Sequence, residues 1–246
     1  MSEDVSSSDL ARIAREQGLV SFLKSALLQL DAVFTGALGT PKLHLLMIPG
    51  RLAQAARNKA FIEQLATEFE MLREKGRLRP AFEQSSEGQS SLQELLAALE
   101  QPPVDDTKFH FLKSIFIAAA TENAPKDVPP QLILSIARTL SSGELIVLAT
   151  AYRIARDRPD IVKRVGGSAR SWVTEIAKIS GIGLTSLVEH YESQLASKNL
   201  VNQRHYGDRS GLRMGKYFGL TDFGVSLCEL MQRGEDETAT LKHATD

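Results

Sequence analysis

Residues 161–220 carry nine lysines and arginines: Lys163, Arg164, Arg170, Lys178, Lys198, Arg204, Arg209, Arg213 and Lys216. Four acids oppose them, Glu175, Glu189, Glu192 and Asp208. That segment is +5 in a chain of net charge −1, leaving −6 for the remainder. A basic segment on an otherwise acidic chain is the footprint of a surface that meets polyanions, phosphate foremost. Two groupings stand out. Ser168, Arg170 and Ser171 fall where a helix should begin, and there the free backbone N–H groups and the helix dipole suit a phosphate. The same residues also make an ordinary capped helix with a solvated arginine. Arg204, Arg209, Arg213 and Lys216 share a second short segment, where the alternative role is a charged edge that blocks strand pairing.

Other chemistry is not signalled. The histidines, His44, His110, His190, His205 and His243, are scattered without H-E-x-x-H or Cys/His spacing, so no metal is expected. No P-loop, dinucleotide-binding glycine pattern or G-x-S-x-G elbow occurs, and the sequence points to no cofactor and no enzyme active site. Gly207, Gly211, Gly215 and Gly219 recur every four residues, which suits a bulged hairpin better than a phosphate cradle. The single cysteine, Cys228, sits between Leu227 and Leu230 as a small apolar group, and Trp172 reads as a core anchor.

These residues must be positioned by elements that the periodicity makes mainly α. Helices are expected over 8–17, 20–34 and 51–74, the last with Ala55, Phe61, Ile62, Leu65, Phe69 and Leu72 inward. Residues 77–91 are polar and read as a loop or linker. A short helix over 92–99 stops at Pro102 and Pro103, Asp106 caps a helix over 107–121, and 131–140 follows Pro129 and Pro130. The N-terminus is acidic and serine-rich, and the apolar stretch 19–48 is broken by Lys24, Asp31, Lys42, Gly and Pro. Neither an export signal nor a membrane span is expected, so the expected location is cytoplasmic.

Beyond residue 140 the pattern sharpens. Ser141 with Glu144 three positions on is a capping box, opening a helix over 143–157. Pro159 and Gly166-Gly167 break the chain, and Ser168 or Ser171 caps a second helix to about residue 179. Within it, Ile176-Ala177-x-x-x-Gly181-Ile182 places a small Ala where helices cross, a Gly where the turn needs positive φ, and an apolar plug for the corner. A third helix spans 184–197, with Leu184, Leu187, Val188, Tyr191 and Leu195 inward, the last four against Ile176, Ile179 and the closing helix. Its outward residues include Thr185, Ser186 and His190, but also Glu189 and Glu192. Strands are expected over 200–206 and 212–220, joined by a tight turn, and Thr221 caps a last helix over 222–232.

The order helix, Ile176-Ala177-x-x-x-Gly181-Ile182, helix, Leu195-x-x-x-x-Leu200-Val201, basic hairpin and Leu220-Thr221-Asp222-Phe223-Gly224 resembles bacterial winged-helix regulators of the MarR and PadR type. The likeness covers about the last ninety residues, and its turn, 180–185, is a residue longer than the usual tight version. It implies a winged helix-turn-helix with a two-stranded β-hairpin wing over 141–232, and with the composition and periodicity of the rest the chain reads as mainly α: a disordered N-terminus (1–8), a helical domain (9–140), that module, and a disordered acidic tail (233–246). The resemblance further implies a DNA-binding transcriptional regulator, a homodimer, with the third helix in the major groove of double-stranded DNA and the wing on the backbone. Ser168, Arg170, Ser171, Thr185, Ser186, His190, Arg204, Arg209, Arg213 and Lys216 would then touch DNA. The alternative is a protein-interaction or adaptor module, because helix three carries acids and no Lys or Arg. A protein partner would then dock on helix three or on the N-terminal helices. The helical N-terminal half is similar in general character to bacterial abortive-infection accessory proteins, which would make the chain a phage-defence accessory protein.

Overall fold

The computed structural model describes residues 48–100, 105–121, 128–203 and 219–243, together with Leu19, Leu23 and Leu27. Its helices are α1 (Ile48–Glu74), α2 (Pro80–Gln84), α3 (Ser86–Glu100), α4 (Asp106–Ala120), α5 (Pro130–Thr139), α6 (Ser142–Asp157), α7 (Pro159–Val165), α8 (Ala169–Ser180), α9 (Thr185–Ser197) and α10 (Asp222–His243). The mainly α expectation holds. Among the described residues no helix is long and apolar enough to cross a membrane.

The centre of the molecule is α4. From Phe109 to Ala120 all but His110 are buried, and a helix apolar all round has to be enclosed by others. Its cap is Asp105, one residue earlier than expected, whose Oδ1 accepts the Lys108 N–H at 2.8 Å. On one side α1 presents Phe61, Ile62, Leu65, Phe69 and Leu72, and Phe61 stacks on Phe109 with centroids 4.0 Å apart. The same interface contains an ion pair: buried Lys113 donates to Glu68 Oε1 at 2.6 Å, and Gln64 Nε2 donates to the same oxygen at 3.0 Å. On another side lies α10, so close that a Cβ on Gly234 would stand 1.9 Å from the Ser114 carbonyl oxygen.

Two polar stretches fold where the sequence suggested none. Residues 77–91 are not a linker. Leu78 bridges Thr121, the Arg79 N–H donates to the Ala120 carbonyl at 2.9 Å, and Pro80 opens α2. Ser85 Oγ then accepts the Gly88 N–H at 2.9 Å near the start of α3. Glu and Gln are good helix formers, and here they dress the outside of helices whose Phe82, Leu92 and Leu95 are buried. The acidic segment after Gln232 is likewise no disordered tail as far as His243, because α10 continues through it. Gly234, Thr238 and Leu241 recur at four and three positions, a helical stripe against the body, and Thr238 and Leu241 are buried. Arg77 pairs with Glu237 at 2.9 Å and Lys75 Nζ donates to the Leu241 carbonyl at 3.3 Å.

One apolar cluster therefore runs from Leu19 to Leu241, across the boundary expected near residue 140. A polar junction reinforces it. Ser141 and Glu144 form the expected capping box of α6. Lys198, just beyond α9, donates to Glu144 Oε1 at 2.5 Å, and Ser142 Oγ donates to Asp105 Oδ2 at 2.5 Å. Burial alone would raise the Glu144 pKa, but hydrogen bonds from Lys198 and from the backbone and hydroxyl of Ser141 hold it below the usual carboxylate range.

The expected two-stranded β-hairpin wing is corrected. The described residues hold no sheet, and between 200 and 220 there is one antiparallel bridge, Val201 with Leu220. The flanks meet there through Asn202 N–H to the Gly219 carbonyl at 2.7 Å and Thr221 N–H to the Leu200 carbonyl at 3.1 Å. Residues 212–220 include two glycines and no β-branched residue, which weakens the strand preference of Tyr217 and Phe218. The middle of that segment, 204–218, lies outside the described residues, as do the helices expected over 8–17 and the bulk of 20–34.

Candidate nucleic-acid interface

Helices α6, α8 and α9 pack on one another, and a short turn joins α8 to α9. α7, which the proline and glycine breaks did not suggest, ends at Gly166 with φ 59°, and Gly167 follows at φ 88°. This left-handed pair reverses the chain in a way that residues with a Cβ rarely allow. Ser168 then caps α8, its hydroxyl accepting the Ser171 N–H at 3.3 Å. Ala169, Trp172, Val173, Ile176 and Ala177 form the inward face, and Trp172 is fully buried. α8 closes on Gly181 with φ 77°, Ile182 packs on the core as the corner plug, and the Gly183 N–H donates to the Ala177 carbonyl at 3.0 Å.

α9 crosses beneath. Val188, Glu192 and Leu195 are its buried residues, while Leu187 and Tyr191 are partly buried. Gly143 at the head of α6 gives Tyr191 its place, since a Cβ there would fall 2.3 Å from the ring. Ile179 and Leu184, both expected inward, are 43% and 63% exposed, Leu184 because it stands at the N-cap ahead of the helix rather than on its buried face. Ile179 lies off the 172-173-176-177 stripe, and the next inward position of that register is Ser180.

The acids change the electrostatic reading. Glu192, expected outward, is 1% exposed and its Oε1 accepts the Trp172 indole N–H at 3.1 Å. Glu175 is paired with Arg164 at 2.9 Å. On α9 that leaves Glu189, half-buried, as the acid nearest the exposed residues Thr185, Ser186 and His190. On α8, Arg170, Thr174 and Lys178 recur every four residues and all are exposed. Such a row sits along one side of a helix, with Arg170 and Lys178 about 12 Å apart along the axis. Among the described residues no carboxylate lies within ion-pair distance of Lys163, Arg170 or Lys178.

No protein family, curated protein or solved structure matches this chain.

The geometry sorts the expected contact residues. Arg170 and Ser171 are exposed at the start of α8, but Ser168 is a half-buried cap and the Ser171 N–H is already taken by it. Thr185, Ser186 and His190 are exposed on α9. Arg204, Arg209, Arg213 and Lys216 lie outside the described residues. Lys163 and Lys178, counted in the basic segment but not among the expected contact residues, are exposed as well, and the four-residue spacing of Arg170, Thr174 and Lys178 is visible in the sequence. Among the described residues no group of His, Cys, Asp and Glu could hold a metal ion. Cys228 is buried, and burial pushes its thiol far above its ordinary value, so it packs rather than reacts.

Proposed function

We propose that the chain is a DNA-binding protein that uses the α8–α9 helix-turn-helix, with α8 on the phosphate backbone and the start of α9 toward the base edges. The observation that carries this reading is the exposed row Arg170, Thr174 and Lys178, with no carboxylate in ion-pair distance among the described residues. Supporting it, Glu192 is held beneath Trp172 and Glu175 beside Arg164, so two acids that would repel phosphate are withdrawn or balanced. Cations on a helix that crosses the backbone position the protein, while Thr, Ser and His side chains on the second helix reach donors and acceptors of the bases. A role in transcriptional regulation and a homodimeric state go with this reading as its natural extension.

The test is a titration of the full chain against mixed duplex DNA at several salt concentrations. Binding should weaken as salt rises, and Arg170→Ala and Lys178→Ala should each lower the log-log slope by about one, on all sequences alike. Absence of binding at low salt sinks the reading. The second reading, a protein-interaction module, is favoured by a different observation: Ile179 and Leu184 are 43% and 63% exposed on the two sides of one turn.

A further inference from the structure

The turn from α8 to α9 fixes its backbone and yet leaves a leucine in solvent. Ile182 folds onto the core and Gly183 is bonded to Ala177, so the chain arrives at Leu184 with little freedom. Leu184 occupies the N-cap of α9 with extended φ and ψ of −103° and 114°, and no side chain caps the helix. Ser, Thr, Asp or Asn at that position would satisfy one of the free N–H groups of the first turn. A leucine that is 63% exposed does neither that nor core packing. Among the described residues only Ile179 and Leu132 are other large apolar side chains so open, and Ile179 stands just across the same turn.

Single exposed leucines are ordinary. Here the apolar pair is bordered by Lys178 on one side and by exposed Thr185 and Ser186 on the other. Cations that suit an anionic backbone, beside polar groups that suit base edges, favour duplex DNA as the occupant. In a helix-turn-helix, the first residues of the second helix meet the major-groove edges of the bases. On those edges the apolar group is the C5-methyl of thymine.

We infer that Leu184 is a specificity-determining residue that packs on thymine methyl groups in the major groove, giving the protein a preference for thymine at the position facing the start of α9. The inference rests on the DNA-binding reading and names what that site selects.

The experiment uses the full chain. Duplexes that bind most tightly are selected from a random-sequence pool, then resynthesised with deoxyuridine in place of thymidine, which removes the methyl and nothing else. For the wild-type protein, Kd should rise about fourfold for each methyl that Leu184 covers. For Leu184→Ala, which removes no cap and no core contact, the thymidine duplex should bind about as weakly as the deoxyuridine duplex, with helical content by circular dichroism unchanged. Equal binding of the two duplexes by the wild type overturns the inference, as does a difference that persists in Leu184→Ala. Either result leaves salt-dependent binding in place. If no duplex binds at low salt, the DNA-binding reading itself fails, and that result is distinct from both.

Discussion

The contact between Trp172 and Glu192 shows how much one hydrogen bond decides. A buried carboxylate without partners would shift or unfold its surroundings, whereas this one takes the indole N–H and joins the two helices of the turn. Trp172→Phe keeps the apolar bulk and deletes the donor, so it should cost about 2 kcal/mol in urea unfolding, the range for hydrogen bonds to charged groups. A loss below a few tenths of a kcal/mol would mean that this hydrogen bond adds little to stability. Trp172 was legible as an anchor because large aromatics on an apolar stripe go inside. Glu192 was not, although it lies four positions after Val188 and three before Leu195, on their face of the helix. An acid reads as outward in any hydrophobic pattern, and its burial becomes visible only when its donor, twenty positions earlier, is brought against it.

Among elements, α10 is the one whose extent was hardest to read. Its first half carries Leu227, Cys228, Leu230 and Met231, and the sequence signals it clearly. Its second half reads as polar because its inward face before Leu241 is made of Gly234 and Thr238, small residues without an apolar signature, and Gly234 lets it lie close on α4. Gly224 does similar service at the start of the helix: a Cβ there would stand 2.1 Å from the Leu200 carbonyl oxygen, which accounts for the glycine of the 220–224 motif. Gly234→Ala separates two effects of opposite sign. Helix propensity alone favours alanine by about 1 kcal/mol, whereas a Cβ against the Ser114 carbonyl forces the helices apart at about 1 to 3 kcal/mol. A net loss of stability by thermal unfolding is expected, and a stabilised variant would show that α10 does not lie this close. The capping box at Ser141 and the corner Gly181-Ile182 were readable because each is a local steric demand. The wing was misread because its composition rewards a turn-rich segment as readily as paired strands, and among the described residues the bridge between Val201 and Leu220 is all that joins the two flanks as strand.

At the scale of the molecule, the junction of α4, α5, α6 and α9 binds its stability to pH. Glu144 is held below its ordinary pKa, so the folded state binds that proton less readily than the unfolded chain does. Its contribution is complete above the unfolded value, about 4.3, and disappears as pH falls through the lower folded value. Urea midpoints measured from neutral pH down to about pH 3 should therefore fall, and less steeply for Glu144→Gln, which should begin less stable because Lys198 loses its charge partner. Identical slopes for the two proteins would show that other carboxylates govern the acid limb. The partition into two domains was read from chain length and from the local signal of the capping box at Ser141, where the resemblance begins. The shared core is invisible to them, because it depends on which faces meet across long separations. That long separation has a temporal side. α4 ends at Ala120 and its cover, α10, begins at Asp222, a helix about 33 Å long. During vectorial synthesis the strip of α4 around Ser114 stays open to water until the ribosome has released α10, long after the helices around it have formed. Until that closure the chain carries an exposed apolar furrow whose natural occupant has yet to be made.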